Sequence, residues 1–162
     1  MFRKMRREKQ LLSKAASEEI LVHGATGVLA VLGDEEYPYA VPVNYVYDHG
    51  KIYFHCAKSG HKLDAIRRHS KVSFCVIDKE QVIPEKFTTY YRSAVAFGRA
   101  SEVEDGDARL RAMRLLNNKY APGLDEAGEA EIQKGWSSLC VIQIHVEHLT
   151  GKEALELVKM RT

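Results

Sequence analysis

The segment from residue 58 to residue 71 contains a dense group of basic side chains. Against a single acid, Asp64, it carries the cations and imidazoles Lys58, His61, Lys62, Arg67, Arg68, His69 and Lys71. Several of them open a short helix predicted over residues 62–69, where unpaired backbone N–H groups and the helix dipole favour an anion. The pattern predicts a phosphate cradle made of Lys58, Gly60, His61 and Lys62. The P-loop spacing is absent, and a solvated helix face is the alternative interpretation.

Residues 42–45, with the sequence Pro-Val-Asn-Tyr, could recognise the edge of a planar heterocycle. Pro42 cannot donate to a sheet ladder, so backbone groups beside it, such as those of Val43, stay free to bond a ligand. Asn44 offers both a donor and an acceptor, and Tyr45 can stack on or cap a ring. An ordinary edge strand would show the same residues, so that alternative stays open.

The strand predicted over residues 51–57 leads directly into the basic segment. Alternation places its side chains on two faces, with Ile52, Phe54 and Cys56 on one and Tyr53, His55 and Ala57 on the other. His55 could bond to a ribityl or phosphate oxygen, whereas a histidine satisfied by backbone groups is the common alternative. A flat ligand against strands, with its anionic tail at a helix start, matches flavin mononucleotide (FMN).

Other kinds of chemistry find little support in the sequence. The cysteines are odd in number and lack CxxC spacing, which disfavours a disulfide framework or zinc site and favours reduced thiols: Cys56, Cys75 and Cys140. HExxH is absent, and His145 and His148 would lie on opposite faces of a strand, so no metal site is expected. Ser93 has no nearby partner for a triad. Any redox chemistry must therefore come from a bound cofactor.

Charge and hydropathy patterns set further expectations. The formal net charge of +2 gives no argument for nucleic acid. No apolar run approaches the roughly 20 residues that span a bilayer, and no apolar region of a signal peptide follows the basic arm at residues 1–12. We therefore expect a cytoplasmic protein with no membrane and no nucleic-acid partner. The arm is interpreted as solvated, or as a contact for an anion or a partner subunit.

The periodicity predicts about six strands joined mostly by hairpins, with helices at the periphery. The helices are expected over residues 17–22, with Ser17 as N-cap, and over 62–69, 107–120 and 127–134, with a terminal turn at 154–158. Residues 78–86 are expected to form an irregular connector, and the long strand at 88–103 is expected to bulge or bend at Gly98. Hairpin connections favour an antiparallel barrel over a doubly wound parallel sheet. The expected fold is mainly β, a six-stranded antiparallel split β-barrel with short flanking helices, forming one domain over residues 1–162.

Most of the chain also resembles a known family. The similar runs occur in order at residues 1–7, 37–47, 52–57, 60–66, 72–78, 87–93, 97–100 and 148–152. They resemble the nitroimidazole-resistance (Nim) proteins, which belong to the pyridoxamine 5'-phosphate oxidase-like, FMN-binding split-barrel group. The resemblance implies a homodimer with two FMN sites at the subunit interface.

The resemblance also implies roles for particular residues. Residues 42–45 would border the isoalloxazine, while residues 55–58 (His55, Cys56, Ala57 and Lys58) and the turn at 60–62 would hold the ribityl chain and phosphate. Ser93 would approach from the partner subunit. Related proteins often carry serine where this chain has Cys56, which puts a hydroxyl contact to the phosphate in doubt. His61 and Tyr45 are the candidates for contacting substrate or donating a proton.

The activity implied by the resemblance is reduction of nitroaromatic compounds such as 5-nitroimidazoles to amines, with electrons passing through FMN. A reductant such as NAD(P)H is required, and because no GxGxxG follows a strand, nicotinamide would only visit the flavin. One alternative is a non-catalytic binding protein for FMN, haem or a deazaflavin. Another is a nucleic-acid or anion-binding module built on the basic helix and the basic arm, and pyridoxal-related oxidation is a further one.

Overall fold

The computed structural model describes residues 1–161, which contain five α-helices and seven β-strands. The helices are α1 (Lys14–His23), α2 (His61–Arg68), α3 (Gly106–Tyr120), α4 (Asp125–Gly135) and α5 (Leu155–Arg161). The strands are β1 (Thr26–Leu32), β2 (Pro38–Asn44), β3 (Val46–Asp48), β4 (Lys51–Ala57), β5 (Lys71–Ile83), β6 (Thr88–Glu102) and β7 (Leu139–Glu153).

The seven strands form one antiparallel sheet in the order β2-β1-β5-β6-β7-β4-β3. Its two edge strands are consecutive in the chain, because β2 ends at Asn44 and β3 begins at Val46. The sheet therefore curls round until its edges meet through a single residue, while its hydrogen bonds do not close into a ring. A mainly β, antiparallel fold is confirmed; the predicted count of six strands is wrong.

The additional strand arises because Tyr45 divides a segment predicted as one strand over residues 39–47. The Tyr45 N–H donates to the hydroxyl of Tyr120, 2.8 Å away, rather than to a neighbouring strand. This partner lies 75 positions along the chain, so nothing local in the sequence marks the break.

Two apolar clusters attach the helices to the sheet. The larger lies between the inner face of the sheet and helices α1 and α2, with the fully buried residues Leu21, Phe54, Leu63 and Phe74. The smaller packs α3 and α4 on the opposite side of β4 and β7, through Met113, Ile132 and Val141. Along β4, Ile52 and Phe54 belong to the first cluster and Tyr53 to the second, which confirms the predicted alternation.

The helix boundaries follow their capping residues. Helix α1 begins earlier than predicted, because Ser13 is its N-cap and accepts from the Ala16 N–H at 3.1 Å. Ser17, which was predicted to cap this helix, is instead buried inside it. Helix α3 matches its prediction within one residue, and Asp105 caps it by accepting from the Ala108 N–H at 2.8 Å.

The long hairpin of β5 and β6 differs from its prediction in one half. Residues 78–83, expected as part of an irregular connector, continue β5, and residues 79–83 pair with β6 beyond a register shift between Ile77 and Lys79. Gly98 lies at a second shift in β6, which confirms the predicted bulge. A Cβ at Gly98 would lie 2.1 Å from the carbonyl oxygen of His145, so the close approach of β7 requires glycine.

The N-terminal arm is largely exposed, as its solvated interpretation expects, but it touches the sheet near its two ends. The ring of Phe2 stacks on His148 at a centroid distance of 4.5 Å and lies 5.6 Å from the ring of Phe97. Further along, Gln10 is buried, and the backbone N–H of Leu12 donates to the Gly151 carbonyl. None of the helices within residues 1–161 is both long and apolar enough to cross a membrane.

Candidate functional site

A cavity of about 910 Å³ opens between the end of β4 and the α3–α4 helix pair. This volume is in the range typical of small-molecule sites. The strand side supplies the mixed polar and small residues Asn44, His55, Cys56 and Ala57. The helix side is largely apolar and includes Met113, Leu116, Tyr120, Leu124 and Ile132. Four of the residues predicted for the flavin site therefore lie together on one wall of this cavity.

His55 is the titratable ring on that wall. The residue is exposed overall, but partial desolvation of the imidazole lowers its pKa from the usual 6.5, and the nearby cation of Lys62 lowers it further. At neutral pH the ring is therefore uncharged, with one nitrogen that donates and one that accepts. His55 can bond to a ligand oxygen or hold a proton at one ring nitrogen, while Lys62 supplies the positive charge beside it.

Cys56 borders the same cavity and also packs against the core. It is only half-buried, as is Cys75, whereas Cys140 is buried. Cys140 lies opposite Cys56 in the β4–β7 pairing and donates to a carboxylate oxygen of Glu102 at 3.2 Å. Burial raises the pKa of Cys56, and burial with Glu102 raises that of Cys140 to about 12. Both remain protonated thiols, which are poor nucleophiles.

The four residues of β2 and its end point to alternate sides. Pro42 and Asn44 are exposed, whereas Val43 and Tyr45 are buried in the core. The Tyr45 ring meets Phe74 edge-on at 4.8 Å and none of its surface is exposed, and burial raises its hydroxyl pKa well above 10. Alternation along the strand thus leaves Asn44 able to reach a ligand, but in this structure the Tyr45 side chain cannot stack on a ligand or donate to substrate.

His61 lies at the start of α2 against the turn that joins β1 to β2. Its ring stacks on Tyr39 at 4.2 Å, and its Nε2 accepts the Asp34 N–H at 3.3 Å. Arg68 forms an ion pair with the same aspartate at 2.6 Å, which lowers the pKa of Asp34. These contacts hold His61 apart from the residues that line the cavity.

The remaining predicted site residues are divided between two surfaces. Lys58 and Gly60 are exposed in the turn before α2. Gly60 has a φ of 127°, which favours glycine, and no atom lies within 4 Å of the position a Cβ would take. Ser93, on β6, pairs with Ile77 and Lys152 and does not line the cavity.

The α3–α4 helices are the part of the site that sequence reasoning missed. The apolar stripe of α3 predicted only that this helix packs on something. Gly128 is the local sign of close helix contact, because a Cβ there would lie 2.3 Å from a side-chain atom of Asn117, another cavity residue. Residues 1–161 contain no group of three or more His, Cys, Asp or Glu side chains that could hold a metal ion.

The sequence also matches a protein-family model over most of its length. The model described as pyridoxamine 5'-phosphate oxidase matches residues 13–153, and the chain belongs to this family. No curated protein matches the chain in sequence.

Solved structures from several bacteria share this fold. A provisionally named 5-nitroimidazole antibiotic resistance protein from Bacteroides thetaiotaomicron is 21% identical, with a TM-score of 0.72 over 88% of this chain and 86% of that one. An FAD-binding protein from Mesorhizobium loti is 25% identical, with a TM-score of 0.65 over 90% and 97%. An FAD- and haem-binding protein from Mycobacterium smegmatis is 19% identical, with a TM-score of 0.75 over 91% and 74%. The predicted resemblance to a Nim-like member of the family is confirmed.

Proposed function

We propose that this protein binds FMN beside the cavity and uses it to reduce small nitroaromatic compounds, 5-nitroimidazoles among them. The observation that carries the proposal is the convergence of Asn44, His55 and Ala57 on one wall of an apolar cavity, with the Lys62 cation beside them. The structural neighbours named for FAD binding and for nitroimidazole resistance add support.

The residues beside the cavity suit a flavin phosphate and its ribityl chain. Lys58 lies in the turn before α2 and Lys62 in the first turn of that helix, and the open space beside Gly60 allows an anion to approach the backbone closely. His55, being uncharged, can bond to a ribityl or phosphate oxygen without competing for a proton at neutral pH. Asn44 can donate to and accept from the edge of a planar ring.

When bound, FMN supplies the two-electron chemistry that the amino acids of this chain lack. Full reduction of a nitro group to an amine takes six electrons and six protons and releases two waters, so it consumes three equivalents of NAD(P)H with three further protons. The role of this chain is to orient the ring system, exclude water with the apolar α3–α4 wall and keep a protonated donor near the substrate. The neutral imidazole of His55 keeps one ring N–H, which can serve as this donor.

We further propose that the site is shared in a homodimer. The outward face of the sheet carries an apolar row across four strands, in which Val28 pairs with Pro42 and Cys75, and Cys75 pairs with Val95. Side chains of directly paired residues share a face. Asn44 follows two positions after Pro42, on this same exposed face, so the row is continuous with the cavity wall. Ser93 pairs with Ile77, which is 64% exposed, and would reach the flavin from the partner.

The proposal is tested by titrating the purified protein with FMN, FAD, a deazaflavin and haem, followed by absorbance and gel filtration. We expect FMN to bind with a band near about 450 nm at the size of a dimer. The loaded protein should then oxidise NAD(P)H only when a 5-nitroimidazole is present, at three NAD(P)H per amine formed.

Two results would change the proposal in different ways. Tight FMN binding without any turnover would make this a carrier of the cofactor rather than a reductase. A preference for haem, or failure to take up any flavin, would overturn the flavin site itself. A flavin-loaded monomer at high dilution would contradict the shared site.

A further inference from the structure

The hydroxyl of Tyr120 stands at the point where the ladder between β1 and β2 ends. The last pair of that ladder joins Thr26 to Asn44. One residue further, the Tyr45 N–H donates to the Tyr120 hydroxyl at 2.8 Å, and this hydroxyl donates to the Ala25 carbonyl at 2.6 Å. The Tyr45 carbonyl lies 2.8 Å from the same oxygen, as an alternative acceptor.

This arrangement replaces one pair of the sheet by a side chain. Continuing the register, Ala25 and Tyr45 would be the next partners, with an N–H on one facing a carbonyl on the other. A hydroxyl can accept from the first and donate to the second, so it satisfies both groups while keeping the strands apart. The N–H involved belongs to the peptide between Asn44 and Tyr45, so the bond fixes the orientation of that peptide.

A second contact from the end of α3 supports the same point. The ammonium of Lys119 donates to the Gly24 carbonyl at 2.7 Å and lies 4.2 Å above the ring of Tyr45. Two neighbouring residues of α3 thus hold the loop before β1 and the end of β2. Tyr120 and Asn44 both line the cavity, so the connection between the helix and the strand ends directly at the candidate site.

We propose that Tyr120 is a positioning residue of the ligand site, whose hydroxyl holds the peptide between Asn44 and Tyr45 so that the Asn44 side chain faces the ligand. The inference rests on the proposed flavin site for its consequence and on the hydrogen bonds above for its structural part. Its two parts are tested separately.

The structural part is tested without flavin, by NMR of the Tyr120→Phe variant. The ring remains as a spacer, so the Tyr45 amide loses its acceptor and should exchange with solvent about tenfold faster or more, and the Asn44 side-chain amide signals should shift. Tyr47→Phe is the matched control, because it removes a hydroxyl that donates to Glu18 at 3.0 Å on the other side of the break. That variant should leave both signals unchanged. Unaltered Tyr45 exchange and Asn44 signals in Tyr120→Phe would overturn the proposal.

The functional part is tested by a double-mutant cycle on FMN affinity. Tyr120→Phe should weaken FMN binding by about tenfold, which corresponds to the loss of about one hydrogen bond. If it acts through Asn44, it should cause no further loss in an Asn44→Ala background. Equal losses in both backgrounds, or no loss in either, would contradict the proposal. If the wild-type protein takes up no flavin, the proposed function fails. The NMR comparison still decides whether Tyr120 orients the Asn44 side chain.

Discussion

Replacing Lys62 by alanine gives a sharp test of where the anionic end of the ligand lies. Lys62 influences the pKa of both His55 and Cys56, so its ammonium is near the two β4 residues that border the cavity. A hydrogen bond to a charged group contributes about 1.5–3 kcal/mol. At 1.4 kcal/mol per factor of ten, the loss of this hydrogen bond should weaken FMN binding by roughly 10- to 150-fold.

The comparison of FMN with riboflavin isolates the phosphate. Riboflavin carries the same ring and ribityl chain without the phosphate, so it offers Lys62 no phosphate to bond. Lys62→Ala should therefore change the affinity for riboflavin by no more than about threefold. Isothermal titration or flavin fluorescence quenching measures both constants. Lys14→Ala is the matched control, because Lys14 lies on α1 with a side chain that is 84% exposed. It should change neither affinity.

The same variant has a second readout that needs no ligand. Removing the Lys62 charge should raise the pKa of His55, yet partial desolvation should still keep it below 6.5. NMR titration of the imidazole measures this value. Equal losses for FMN and riboflavin would place Lys62 away from the phosphate. An unchanged His55 pKa would show that the two side chains are farther apart than the structure has them, and either result would refute the phosphate cradle.

Three other changes probe the cofactor contact, the core and a buried charge. Cys56→Ser should raise FMN affinity severalfold without affecting riboflavin, because a hydroxyl is a better donor than a thiol; fluorescence titration measures this. Gly27→Ala should cost about 1–3 kcal/mol in urea unfolding, because its Cβ would lie 2.1 Å from the Phe74 ring. Burial lowers the pKa of Lys119 from 10.5 to about 8, so the unfolded chain binds more protons between these values and stability rises with pH. Since Lys119 is half-exposed, we expect a gain of about 1 kcal/mol between pH 7.5 and 9, measured relative to Lys119→Met.

Each of these three predictions is contradicted by a specific result. Unchanged or weaker FMN binding by Cys56→Ser would mean that this side chain does not contact the phosphate. For Gly27→Ala, a companion Phe74→Leu change should recover part of the stability, and no loss in the single variant would contradict the close packing. If the wild type and Lys119→Met show the same pH dependence, then the ammonium is not buried as the structure has it.

The predictions that succeeded depend on contacts between near neighbours in the chain. The alternation along β4 follows from backbone geometry, and it placed Phe54 in the core and His55 at the cavity. Helix α3 followed from its apolar spacing, and Gly98 marked a bulge because glycine inside a strand is typical of such irregularities. The family resemblance added the fold, which spacing alone does not specify.

For two candidate site residues, the structure shows surroundings that depend on partners distant in the chain. His61 was a candidate for substrate contact because it opens a helix beside cations, but its nitrogen bonds Asp34, 27 positions away. Tyr45 was a candidate because tyrosine can stack on a ring, but the register of β2 against β1 turns it into the core. No local pattern distinguishes either outcome from the expected one.

The sequence by itself therefore determined which residues carry usable chemistry, the strand and helix periods, and the family. The tertiary structure decided which of those residues meet: Asn44, His55 and Cys56 share a cavity, while His61 and Ser93 lie apart from it. It also decided that Tyr120 ends β2 and that α3 and α4 form the second wall. The physical reason is that burial, pKa and hydrogen bonding depend on atoms brought together by folding, whereas a sequence pattern records only neighbours along the chain.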